Sequence, residues 1–182
     1  MIIVPLLLVS SMMMGGAALA QDDPSPLKFP VPKDIKNQLF YIQRDPNINT
    51  IICQLNADDS GKLDSKNPIN VFWIRYGDKG EKKDLNFIQR KFAYGVETKN
   101  LGNGKYELKF AARKTLPMYL MKSPLDKKYH VYVTVNNKTV IVDRIFLRID
   151  GGTFWFPNVK YIEFKGTMSN DLAKPAIERI KV

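Results

Sequence analysis

Gly104-Lys105-Tyr106-Glu107-Leu108-Lys109-Phe110 alternates apolar bulk with charge, residue by residue. In an extended chain successive side chains point to opposite faces, so Tyr106, Leu108 and Phe110 share one face while Lys105, Glu107 and Lys109 share the other. A strand with one oily face and one wet face is the signature of an antiparallel sheet packed on one side only. Immediately upstream, Leu101-Gly102-Asn103-Gly104 offers residues that tolerate positive φ, which predicts a hairpin leading into this strand.

The same period recurs downstream. Tyr129, Val131, Val133 and Val135 alternate with His130, Tyr132 and Thr134, and Ile162 and Phe164 alternate with more polar neighbours. Val135-Asn136-Asn137-Lys138-Thr139 predicts a second hairpin. In its outgoing strand Val140 and Val142 have one parity, whereas Ile145, Leu147 and Ile149 have the other. A β-bulge near Asp143-Arg144 would return both sets to one buried face.

Further strands are expected at 38–44, 50–55, 70–76, 91–99 and 118–121. In the fourth decade of the domain Val71, Phe72, Trp73, Ile74 and Tyr76 load both faces with apolar bulk, and Arg75 is the sole charge there. Such a strand is central, or covered by a helix. Leu85, Ile88, Gln89 and Phe92 stand at helical spacing, which predicts one short helix over 83–91 with Asp84 near its start. The expected fold is mainly β: an antiparallel β-barrel or curved β-sandwich of roughly nine strands with that single helix. No repeat of solenoid or propeller length is present.

The first twenty residues, Met1 to Ala20, carry no charge, and the apolar run after Met1 is too short to span a bilayer. Ala18-Leu19-Ala20 fits a small-residue cleavage site, so residues 1–20 read as a signal peptide cleaved after Ala20. The absence of Lys or Arg before the apolar core departs from the usual pattern. Pro24, Pro26, Pro30 and Pro32 make 21–36 an N-terminal arm, and a single β-rich domain follows over 37–182. The expected location is periplasmic or secreted, including the cell surface, with no stable transmembrane anchor.

Lys and Arg number 28 against 18 acids, a formal charge of +10. This excess favours anionic partners, either an anionic or amphipathic small molecule or an envelope component, and the compartment argues against nucleic acid. The plainer reading is a solvated basic surface. Cys53 is the one cysteine, so no intramolecular disulfide forms, and its apolar neighbours predict a buried thiol.

No cofactor, metal site or catalytic residue is assigned. His130 is the single histidine and has no nucleophile in an elbow-like turn beside it. The run 56–64 resembles a calcium loop but lacks the closing glutamate. Carboxylates for glycoside hydrolysis would have to come from distant residues such as Asp143, Asp150 and Glu163. What remains is an arginine and aromatic constellation, Arg75 with Trp73 and Tyr76, Arg90 with Tyr94, and Arg144 and Arg148 around Phe146. Guanidinium groups grip carboxylate or phosphate with two prongs and stack on rings, so these residues are the candidate ligand site, together with Trp155 in Gly151-Gly152-Thr153-Phe154-Trp155-Phe156-Pro157. The structural alternative pairs each arginine with a local acid such as Asp78, Asp84 or Asp150.

Asn70-Val71-Phe72-Trp73-Ile74-Arg75-Tyr76-Gly77, followed by Leu85-Asn86-Phe87-Ile88-Gln89-Arg90-Lys91-Phe92-Ala93-Tyr94-Gly95-Val96, resembles an exported Bacteroidetes-type family, the domain of unknown function 4833. The likeness runs from about Leu39 to Ile180. It implies export and the domain's extent, and it transfers no active site. The reading that follows is a non-enzymatic envelope protein that binds an anionic or amphipathic ligand. An envelope structural or protein-interaction module is the alternative, and a hydrolase acting on envelope polymers comes third.

Overall fold

Among the residues described by the computed structural model, 28–153 and 156–182, eleven strands join in one sheet. They are β1 (Gln38–Arg44), β2 (Asn47–Leu55), β3 (Ile69–Arg75), β4 (Glu81–Asp84), β5 (Val96–Gly102), β6 (Lys105–Phe110), β7 (Met118–Lys122), β8 (Tyr129–Val135), β9 (Lys138–Gly152), β10 (Pro157–Met168) and β11 (Asp171–Lys181). The expected signal peptide, its cleavage site, the start of the arm and Trp155 lie outside the described residues.

Nine strands run in the order β4-β3-β2-β1-β9-β8-β7-β6-β5, and β10 with β11 extends from β9. The path curves into an open half-barrel and does not close, since β4 and β5 have only β3 and β6 as sheet neighbours. The expectation of a purely antiparallel sheet is corrected, because β1 lies parallel to β9. The cause is the length of β9. Its residues 138–141 pair with β8 and its residues 144–147 pair with β1, so two strands arriving from different parts of the chain use successive stretches of it.

Both anticipated hairpins are present, with Asn103 at φ 50° and Asn136 and Asn137 at φ 50° and 63°. The bulge is present too. Lys165 pairs with Arg144 but Gly166 with Val142, leaving Asp143 as the extra residue. Gly166 is required there, since a Cβ on it would sit 1.8 Å from the Ile141 carbonyl oxygen.

The helix differs from expectation. Residues 81–84 are β4, and α1 begins at Phe87 and runs to Gln89 before widening into a π turn over Arg90–Tyr94. Asn86 sets that start: its side chain accepts from Gln89 N–H, and the Gln89 side chain accepts from Asn86 N–H. The π turn also takes 91–94 out of the expected strand, so β5 begins at Val96.

Phe40, Leu108, Leu120, Val131, Val133 and Val140 are fully buried on the concave side. Burying each such side chain contributes about 1.5–3 kcal/mol. Cys53 lies among them, and burial alone pushes its thiol far above the ordinary range, so it stays un-ionised. From the arm, the Pro30 carbonyl accepts a hydrogen bond from Gln43 at 2.7 Å, and Phe29 packs edge-on against Phe146.

Candidate functional site: an apolar cavity with two arginines

The core does not fill the concave side. A cavity of about 380 Å³ remains between the β1, β9 and β10 surface, the 88–94 segment and the Phe110–Met118 connection. That is within the size range of small-molecule sites. Its lining follows from strand alternation: Ile42 from β1, Ile145 and Leu147 from β9, Ile162 and Phe164 from β10, Met118 from β7. Trp73 of β3 and Tyr94 of the π turn complete one wall, their rings edge to face at 5.3 Å.

Set into this oily lining are Arg44 and Arg113. Four buried side-chain polar atoms lack a hydrogen-bond partner among the described residues, and three of them, Arg44 Nε, Arg113 Nε and Trp73 Nε1, belong to cavity residues. Neither arginine has a carboxylate partner among the described residues. Burial pushes the Tyr94 hydroxyl above the ordinary tyrosine range, and the Arg44 cation beside it offsets part of the shift. Tyr94 is therefore a neutral hydroxyl at physiological pH and does not neutralise Arg44.

Arg44, Ile149 and Pro157 also border a second, more polar depression of about 740 Å³ beside Asn47, Asn49, Gly151 and Thr153. Arg44 thus stands at the junction of an apolar chamber and a polar one. Such a junction suits a ligand with a hydrocarbon part and a charged part.

The structure disperses the expected constellation. Trp73 and Tyr94 line the cavity. Arg75 is held by Asp78 at 2.6 Å, and Tyr76 follows it in a 3-10 turn, half-buried. The exposed Arg90 donates from Nε to the Leu85 carbonyl at 3.1 Å, tying the start of the helical segment. Arg144 and Arg148 share the face of β9 opposite Ile145, Leu147 and Ile149. Arg144 donates to Gln43 Oε1 at 2.9 Å and stacks 4.8 Å from the Phe146 ring centroid, and Arg148 pairs with Asp45 at 3.2 Å.

Arg44 and Arg113 were not singled out by sequence. For Arg44 a signal existed, since Phe40, Ile42 and Arg44 share the buried parity of β1. Arg113 sits in a single 3-10 turn, Ala111–Arg113, where no alternation points inward.

The other chemistries weighed from sequence find no assembled site among the described residues. His130 Nε2 is 2.8 Å from Asp126 Oδ2, Asp150 is 3.6 Å from Lys160, and Glu163 is 2.8 Å from Arg179. Asp58 spends one carboxylate oxygen on the backbone of Ser60 and Lys62 and on the Ser60 hydroxyl, which closes the 58–62 turn. No group of three or more metal-ligating side chains occurs among the described residues.

The sequence model for the family described as domain of unknown function (DUF4833) matches residues 40–179. The chain belongs to this family. The DUF4833 match starts on β1 and ends on β11, so both cavity arginines and all the strands that wall the cavity fall within it. No curated protein and no solved structure matches the chain.

Proposed function

We propose that this DUF4833 domain is an exported, non-enzymatic binding protein for an amphipathic anion, with the ligand's hydrocarbon part in the cavity and its carboxylate or phosphate at Arg44 and Arg113. The observation that carries the reading is a pair of cationic side chains, each with a buried Nε that has no partner among the described residues, in a predominantly apolar cavity. A buried donor left without an acceptor costs about 1–3 kcal/mol, more when it is charged. Sequences keep such a defect where something else relieves it, and an anionic head group relieves it with charge-assisted, two-pronged hydrogen bonds. The uncharged N-terminal leader and the basic surface support a location in the envelope or outside the cell, where such amphiphiles are met.

The test is binding of dodecanoate, followed by thermal shift and by displacement of a fluorescent fatty acid. Dodecanoate is expected to raise the melting temperature, and dodecanol, the same chain with an uncharged head, to bind about tenfold more weakly or worse. The double variant Arg44→Met/Arg113→Met should lose that preference for the anion. Equal binding of acid and alcohol by the unaltered protein would remove the arginines from the site. Export is checked separately by the mass of the protein recovered from cells, expected to begin at Gln21.

A further inference from the structure

Among the described residues that line the apolar cavity, only Arg44 and Arg113 carry a side-chain charge, and none is Asp or Glu. Asp45 and Asp150, the acids bordering the polar depression that Arg44 also reaches, are already engaged, by Arg148 at 3.2 Å and Lys160 at 3.6 Å. The lining thus brings two positive charges and no acid to meet them. In apolar surroundings an unanswered charge is costly, and the same low dielectric strengthens the ion pair that answers it. A carboxylate brings one negative charge and leaves the second arginine unanswered. A phosphate monoester brings about two above its second pKa of about 6, and answers both.

The donors point the same way. Three buried donor atoms of the lining lack a hydrogen-bond partner among the described residues, and they come from three separate elements: Arg44 Nε at the end of β1, Arg113 Nε in the 111–113 turn and Trp73 Nε1 on β3. Trp73 is 8% exposed, and its ring stands edge-on to Tyr94, whose hydroxyl feels the Arg44 cation, so the indole belongs to the Arg44 end of the chamber. A carboxylate offers two oxygens, whereas a phosphate monoester ends in three strong acceptors. We infer that the ligand's head group is a phosphate monoester dianion, held between Arg44 and Arg113 with Trp73 Nε1 donating to the third oxygen. This rests on the amphipathic-anion reading and narrows it, making Trp73 the residue that tells phosphate from carboxylate.

The experiment is displacement of a fluorescent fatty acid by dodecyl phosphate, farnesyl phosphate, methyl dodecyl phosphate and dodecanoate, each kept below its micellar concentration. The methyl diester keeps the tetrahedral head and only one charge. At about pH 7.5 the better monoester is expected to bind about tenfold more tightly than the diester and dodecanoate, and which monoester is better identifies the hydrocarbon as straight or isoprenoid. At about pH 5 the monoester becomes a monoanion while Tyr94 and both arginines stay protonated, so its advantage over the diester should vanish. Trp73→Phe keeps a ring and removes the N–H. It should bind the monoester about tenfold more weakly and still prefer dodecanoate to dodecanol. The diester and pH comparisons use the unaltered protein, so they decide the matter even where the variant is unstable. Equal affinity for monoester, diester and dodecanoate, an advantage that survives at the lower pH, or a folded Trp73→Phe that keeps the full advantage would each overturn the inference while leaving the amphipathic-anion reading standing. No preference for any anion over dodecanol would sink both.

Discussion

Arg144 and Arg148 stand on one face of the sheet, Arg44 on the other, with Arg113 across the cavity from the strands. On the first face every guanidinium is answered. Arg144 meets Gln43, which in turn bonds Thr50 and the Pro30 carbonyl, and Arg148 meets Asp45. On the cavity side the environment is at least as apolar and the partners are missing. The contrast is sharpest along β1 and its exit, where Gln43, Arg44 and Asp45 are consecutive and only the middle one lines the apolar cavity. A buried polar network that is complete belongs to the fold, whereas one left open belongs to whatever completes it.

If that distinction is right, the two arginine sets respond to substitution with opposite signs. The largest effect is expected from Arg148→Ala, which strands the nearly buried Asp45 carboxylate and should cost about 3 kcal/mol in urea unfolding. Arg144→Ala removes one hydrogen bond and a stacking contact, and should cost about 1–2 kcal/mol by the same measurement. Arg44→Met should do the reverse, leaving the free protein as stable as the parent or more stable by about 1 kcal/mol while weakening dodecanoate. A loss of 2 kcal/mol or more for Arg44→Met, by the scale of orphaned buried groups, would erase the distinction.

The smallest effect is spectroscopic. Burial raises the folded-state Tyr94 titration and Arg44 restrains the rise, so Arg44→Met should move it still higher, read by phenolate absorbance. The sign for stability follows. A tyrosine that stays protonated in the folded state while the unfolded chain ionises favours folding below the ordinary tyrosine range, and that contribution fades as pH rises through the folded-state value. The alkaline limb of the stability curve should therefore steepen in the variant.

Particular elements mark how far the sequence reading reached. β6 and β8, the two hairpin turns and the bulge at Asp143 were legible because each is written in a few neighbouring residues, by alternation, by Asn and Gly at positive φ, or by a change of parity. β4 was not, since Glu-Lys-Lys-Asp has no buried face, and β11 carries Pro175 on an outer strand. The helix was placed too early because Leu85 continues its spacing, whereas the Asn86 and Gln89 bonds start it at Phe87. Of the residues named as a candidate site, Trp73 and Tyr94 line the cavity. Arg75, Arg90, Arg144 and Arg148 were named for their aromatic neighbours in the chain, and adjacency in sequence places side chains on opposite faces as readily as together.

By itself the sequence determined that this protein is built of strands, where most of them turn, and which side chains each strand hides, because those properties depend on residues within a few positions of one another. Only the tertiary structure decided that β1 runs parallel to the far half of β9, that the sheet stays open, and that Arg44 and Arg113 share one cavity. Those facts join residues scores of positions apart. Each strand edge offers the same backbone donors and acceptors to every comer, so the choice among partners rests on how the whole set packs and leaves no mark in any single stretch.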